Sequence, residues 1–124
     1  MGAKARRGHA RTGESLLRVL LDHCVPAKLA PAIIGHEVIR AVEVGLQGLS
    51  NGEFLDGADR QGFQVVVTID KRMRFQQAMA GRSIAAIVLD RPNSKLEFLL
   101  PLAPKLLAAL PTLQPGEVRI ISEP

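Results

Sequence analysis

The apolar positions of this chain fall into short runs that end on acids. Residues 16–21 (LLRVLL) carry Arg18 as their one charge and stop at Asp22; residues 64–69 (QVVVTI) stop at Asp70; residues 83–89 (SIAAIVL) stop at Asp90. Runs of this length, rich in β-branched side chains and barely alternating, predict strands buried on both faces. HEVIRA at 36–41 alternates weakly and predicts a shorter strand, and EVRIIS at 117–122 predicts a last one whose charges place it at an edge.

The intervening segments read as helical or turning. Pro26 suits the first residue of a short helix, where no amide hydrogen is needed, and Pro31 and Gly35 limit that helix to about two turns. A loop with three glycines, residues 41–55, feeds a helix predicted over 51–61. A further helix is predicted over 71–80, closed by Gly81. Residues 94–110 have helical composition, but Pro101 and Pro104 predict a kink or a split, and Pro115-Gly116 marks a turn before the last strand. Strands alternating with helices predict an α/β fold with a mainly parallel sheet of about five strands and helices on both faces.

Composition narrows this picture. The chain has 124 residues, 47% of them hydrophobic, which predicts one domain, assigned to residues 16–124. The net charge of +4 invites a nucleic-acid reading, yet three of those charges come from residues 1–15, where Lys4, Arg6, Arg7 and Arg11 face Glu14. The rest is nearly neutral and carries no basic footprint of its own. Residues 1–15 read as a flexible basic arm. No apolar run reaches membrane-spanning length, and the single Cys24 predicts no internal disulfide; a cytoplasmic, non-membrane protein is expected.

Three strands ending in aspartate raise the question of what the acids do. Each has a plain structural account except Asp22. Asp70 precedes a predicted helix and suits an N-cap. Glu53 stands three residues after Ser50 in a capping-box spacing, which Ser94 and Glu97 repeat. Asp90 precedes Arg91-Pro92 and suits a turn. Asp22 lies several residues ahead of its helix. In a parallel sheet the strand ends lie side by side, so Asp22, Asp70 and Asp90 are expected to converge, with Glu53 arriving from a helix start. Clustered carboxylates repel unless neutralised, and their hard oxygens suit Mg²⁺ or Mn²⁺. Lys71 and Arg72, at a predicted helix N-terminus, are candidates for phosphate. Arg74 reads as a solvated cation.

VLLDHCVPAKLA, GHEVIRAVEVGLQGLSNGEFL and GFQVVVTIDKRM, taken together, resemble the small bacterial PIN-like proteins related to VapC-type toxins. The shared pattern is L-D-x-x-x-P after a strand, G-H-x-V, a glycine-rich approach to an acidic helix, and T-x-D-K. The resemblance spans residues 18–89. It implies a three-layer α/β/α sandwich and Mg²⁺- or Mn²⁺-dependent ribonuclease chemistry by a group of acids. By motif, Asp22 and Asp70 match the two strand-end aspartates and Glu53 the acidic position at the helix start. Asn51 stands where many relatives have aspartate, which removes one charge. Asp90 lies outside the motif.

Other constellations are weaker. His23 and Cys24 adjoin Asp22, but consecutive strand residues point to opposite faces and rarely form a nucleophile set; His23 is kept as a phosphate or metal contact. His36 reads as a strand residue. No glycine-rich nucleotide loop is present, and four phenylalanines without tryptophan or tyrosine make no base-stacking platform. Two functions remain open: a metal-dependent endoribonuclease acting on RNA, the toxin of a toxin-antitoxin pair, or a PIN-like scaffold with weak or no catalysis that binds a protein or nucleic acid. An antitoxin protein and a homodimeric partner, docked through residues 96–110, are the expected protein partners.

Overall fold

The computed structural model describes residues 16–74 and 79–123. Five strands form: β1 (Arg18–Leu21), β2 (Glu37–Arg40), β3 (Val65–Thr68), β4 (Ala85–Leu89) and β5 (Val118–Ile121). Each falls inside its expected run and is shorter by one or two residues at one or both ends. The α-helices are α1 (Asn51–Arg60), α2 (Leu96–Leu99) and α3 (Ala103–Ala109).

Two helical expectations change. After Pro26 the chain makes a 3₁₀ segment, Ala27–Ala32, and Pro26 itself sits outside it in extended geometry; Pro31, inside that segment, has no amide hydrogen with which to extend it as an α-helix. The helix expected over 71–80 is a 3₁₀ turn at Lys71–Arg74, then residues 75–78 outside the described set, then a turn. The segment holding Pro101 and Pro104 is split, one of the two outcomes its prolines predict: 3₁₀ geometry at Leu100–Leu102 separates α2 from α3. Ser94 caps nothing, because Lys95 occupies the N-cap position and its amide bonds to the Asn93 Oδ1.

All strand pairs are parallel, in the order β2-β1-β3-β4-β5. The expected edge position of the last strand holds. Alternation along each strand divides the core in two. Val19, Leu21, Val65, Val67, Ile87 and Leu89 pack with Leu29, Ile33, Leu99, Leu102 and Leu106. Leu20, Val66, Ala86 and Val88 pack with Phe54, Leu55 and Ala58 of α1 and with Met73 and Ile84. Apolar segments therefore cover both sheet faces, which is why the strands lack a polar alternation.

Register places the acids. Leu21 pairs with Val67, and the ladder runs one step further as the Asp22 amide donates to the Val67 carbonyl at 3.0 Å. Asp22 thus lies beside Thr68, which pairs with Val88 on the other side. Asp70 and Asp90 each stand two residues beyond that row. No helix among the described residues is long and apolar enough to cross a membrane.

Candidate acidic site

The carboxyl edge of the sheet is organised by a residue that the strand-end pattern did not single out. Thr68 is the last residue of β3, wholly buried, and polar among valines. A buried hydroxyl without a partner is costly, and Thr68 has two: its Oγ1 donates to Asp22 Oδ2 at 2.7 Å and accepts the Asp70 amide hydrogen at 3.0 Å. One hydroxyl therefore joins the Asp22 carboxylate to the backbone of Asp70. Its sequence signal was the T-x-D spacing itself, a lone hydroxyl closing an apolar run.

Asp22 is 8% exposed. Its Oδ1 accepts the His23 amide at 2.8 Å and faces His23 Nδ1 at 3.1 Å, so His23 steadies the acid from the solvent side. Cys24 Sγ lies 3.7 Å from Thr68 Oγ1. Burial, first among several causes, pushes the Cys24 thiol up, which keeps it protonated and unsuited to nucleophilic work.

Asp70 is clamped. Arg72 Nε and the Arg72 amide each donate to Asp70 Oδ1 at 3.0 Å, and Arg72 Nη2 donates to Oδ2 at 2.9 Å. The Arg72 side-chain bonds hold the Asp70 carboxyl below the usual range; burial opposes them, and the Arg72 amide and Asn51 side chain reinforce them. Asn51, at the start of α1, is thus brought to the acidic edge. Asp70 does cap the following turn through the Arg72 amide, but its main partner is the guanidinium.

The other expected residues take separate positions. Glu53 lies on Ser50: the Glu53 amide bonds to Ser50 Oγ, and Ser50 Oγ donates to Glu53 Oε1, both at 3.3 Å. Lys71 Nζ lies 3.2 Å from Asp90 Oδ1 and donates to the Arg91 carbonyl at 3.1 Å, which neutralises Asp90. The expected anion cradle opens on a 3₁₀ turn, Lys71–Arg74, and the expected helix beyond it falls partly on residues 75–78, outside the described residues. Among the described residues, no three His, Cys, Asp or Glu side chains gather as a ready cation cage.

A cleft of about 340 Å³ lies elsewhere, lined by Leu17, Gln64, Val65, Ala85, Leu107 and Leu110 among others. These residues sit at the amino ends of the strands, opposite the acids. The lining holds His36 but no acid, lysine or arginine, and in open parallel sheets ligands collect beyond the carboxyl ends, so the acidic edge is the better candidate despite its lack of depth.

Whether Asp22 and Asp70 suit a divalent cation is a matter of lone pairs. Each carboxylate offers about four acceptor sites. Asp22 Oδ1 already meets two His23 nitrogens and Asp70 Oδ1 two Arg72 donors, while Asp22 Oδ2 beside Thr68 and Asp70 Oδ2 beside Arg72 retain room. Magnesium-like ions are commonly held by one or two carboxylates with water completing the octahedron. By lone-pair count, one oxygen of each carboxylate is open to such an ion. Comparisons with known protein families, characterised proteins and solved structures return no match to this chain.

Proposed function

We propose that this chain is a PIN-like three-layer α/β/α protein and a Mg²⁺- or Mn²⁺-dependent endoribonuclease, with Asp22 and Asp70 as the cation-binding pair. The observation behind this reading is the single buried hydroxyl of Thr68, which ties the Asp22 carboxylate to the Asp70 backbone amide at adjoining strand ends. A divalent ion bound there would polarise a phosphodiester and lower the pKa of an attacking water. Thr68 and His23 fix the Asp22 carboxylate so that it need not reorganise on binding. Asn51 contributes a neutral amide where a third charge would add repulsion. Glu53 and Asp90 act as outer acids that orient water, the first from its cap position and the second against Lys71. Lys71, Arg72 and His23 are the groups within this edge that answer a phosphate's charge. On this reading the chain acts on cytoplasmic RNA and is restrained by an antitoxin-type protein, with a homodimer as the assembly.

A second reading has its own support. Arg72 covers Asp70 and Asn51 takes the place of an acid, an arrangement suited to a scaffold that binds a protein or nucleic acid with little catalysis. One experiment separates them: titrate Mn²⁺ while following thermal stability and cleavage of a mixed RNA pool, with Asp22→Asn and Asp70→Asn as controls. The nuclease reading expects stabilisation and cleavage that both variants lose. Absence of both effects in the wild type rejects it.

A further inference from the structure

The side chain of Arg72 is 80% exposed while that of Asp70 is 19% exposed, so the guanidinium lies on the solvent side of the carboxylate and covers it. Its grip is two-pronged, Nε to Oδ1 and Nη2 to Oδ2. Forked pairing of this kind is geometrically specific. An exposed pair is nevertheless weak, shifting an equilibrium only a few-fold. Lys71 cannot substitute, since its ammonium is spent on Asp90 and the Arg91 carbonyl. Asp70 itself is fixed from below by its amide bond to Thr68. The Asp70 carboxyl keeps the Arg72 main-chain amide on Oδ1 whatever the guanidinium does, so the exposed side-chain fork is the movable part.

We propose that Arg72 is a displaceable latch: a divalent cation and the Arg72 guanidinium compete for Asp70, and cation binding frees Arg72 to grip a nucleic-acid phosphate beside the site. This rests on the metal-binding reading of Asp22 and Asp70. The free protein keeps Asp70 neutralised, and the released guanidinium keeps its fork for a phosphate, whose oxygens present the same paired geometry as a carboxylate. The coupling is reciprocal: a phosphate that draws Arg72 away tightens the cation, and the cation tightens the phosphate.

The test uses the full chain and calorimetric titration with Mn²⁺ at low salt, comparing wild type, Arg72→Gln, Arg72→Lys and Asp22→Asn. Melting curves first check that the exposed substitutions leave the fold intact. The latch predicts that Arg72→Gln binds Mn²⁺ about two- to five-fold tighter than wild type, the range expected for removing an exposed ion pair. Arg72→Lys, which keeps the charge but loses the fork, should also bind tighter than wild type. A short single-stranded DNA oligonucleotide, supplying phosphates without being a ribonuclease substrate, should lose affinity in Arg72→Gln when Mn²⁺ is present and change little when it is absent. Tighter binding in Arg72→Gln with none in Arg72→Lys would mean general charge repulsion and overturn the latch. Equal Mn²⁺ affinity in wild type and Arg72→Gln, with binding lost in Asp22→Asn, would overturn the latch and leave the metal site standing. Mn²⁺ binding that Asp22→Asn does not weaken, or no binding by wild type, would remove the metal site and the latch together.

Discussion

Thr68 holds Asp22: the hydroxyl at the end of β3 donates to Asp22 Oδ2 at 2.7 Å, and both residues are almost wholly buried. Replacing Thr68 by valine keeps the shape and removes the donor and the acceptor of the Asp70 amide. Leaving such buried groups unpaired costs about 1–3 kcal/mol, so Thr68→Val should lower unfolding free energy in urea by that amount. Thr68→Ser, which keeps the hydroxyl, should lose less. A larger loss for Thr68→Ser than for Thr68→Val would show that the methyl group, not the hydroxyl, matters.

The start of β1 carries a pH-sensitive bond. The Leu17 amide donates to His36 Nδ1 at 3.1 Å, and burial lowers the His36 pKa from its ordinary 6.5. The folded state thus favours neutral His36, while the unfolded chain takes up a proton near 6.5. Stability from this group is complete above that value and is lost as pH falls towards the lower folded value. Melting temperature should therefore decline between about pH 7 and pH 5, and His36→Ala should flatten that part of the profile. A wild-type profile that is flat there would contradict the assignment.

A second decline belongs further down. Asp70 is depressed below 3.8, chiefly by the Arg72 side chain. Its contribution is present above the ordinary value and disappears as pH falls through the folded one. Asp70→Asn and Arg72→Gln should each shrink the acid limb below about pH 4 without touching the histidine limb. Loss of the upper limb in either variant would link the two groups, which lie at opposite ends of the sheet.

Two glycines of α1 should respond oppositely to alanine. A Cβ on Gly52 meets nothing within 4 Å, so Gly52→Ala should leave stability unchanged or raise it by up to about 1 kcal/mol through helix propensity. A Cβ on Gly57 collides with the buried Leu46 Cδ2, so Gly57→Ala should destabilise, and it should cost less in a Leu46→Ala background than in the wild type, although Leu46→Ala alone is also destabilising. Denaturant melts of the single and double variants give the coupling directly.

The helix start offers a check on roles. Ser50 caps α1 by accepting the Glu53 amide, and Ser50→Ala should cost about 1 kcal/mol. Glu53→Gln keeps a capping side chain, and in Mn²⁺ titrations it should weaken binding less than Asp22→Asn does. A larger effect at Glu53 would move the cation towards α1.

The sequence by itself determined the strands and their order of acids. The apolar runs at 16–21, 64–69 and 83–89 could be satisfied only in a sheet buried on both faces, and the acids mark where burial ends. The Ser50 cap was legible for the same reason: its partners are three residues apart. Tertiary structure decided the rest, since it depends on contacts that sequence spacing does not encode. Thr68 meets Asp22 because β1 and β3 are neighbours in a particular register, a long-range fact. Asn51 reaches Asp70 because α1 packs on one face. Arg72 lies near Asp70 in sequence, yet its two-pronged grip on the carboxylate is a side-chain placement that spacing alone does not encode. Which acids are paired, which are covered and which are merely capping was settled by those placements.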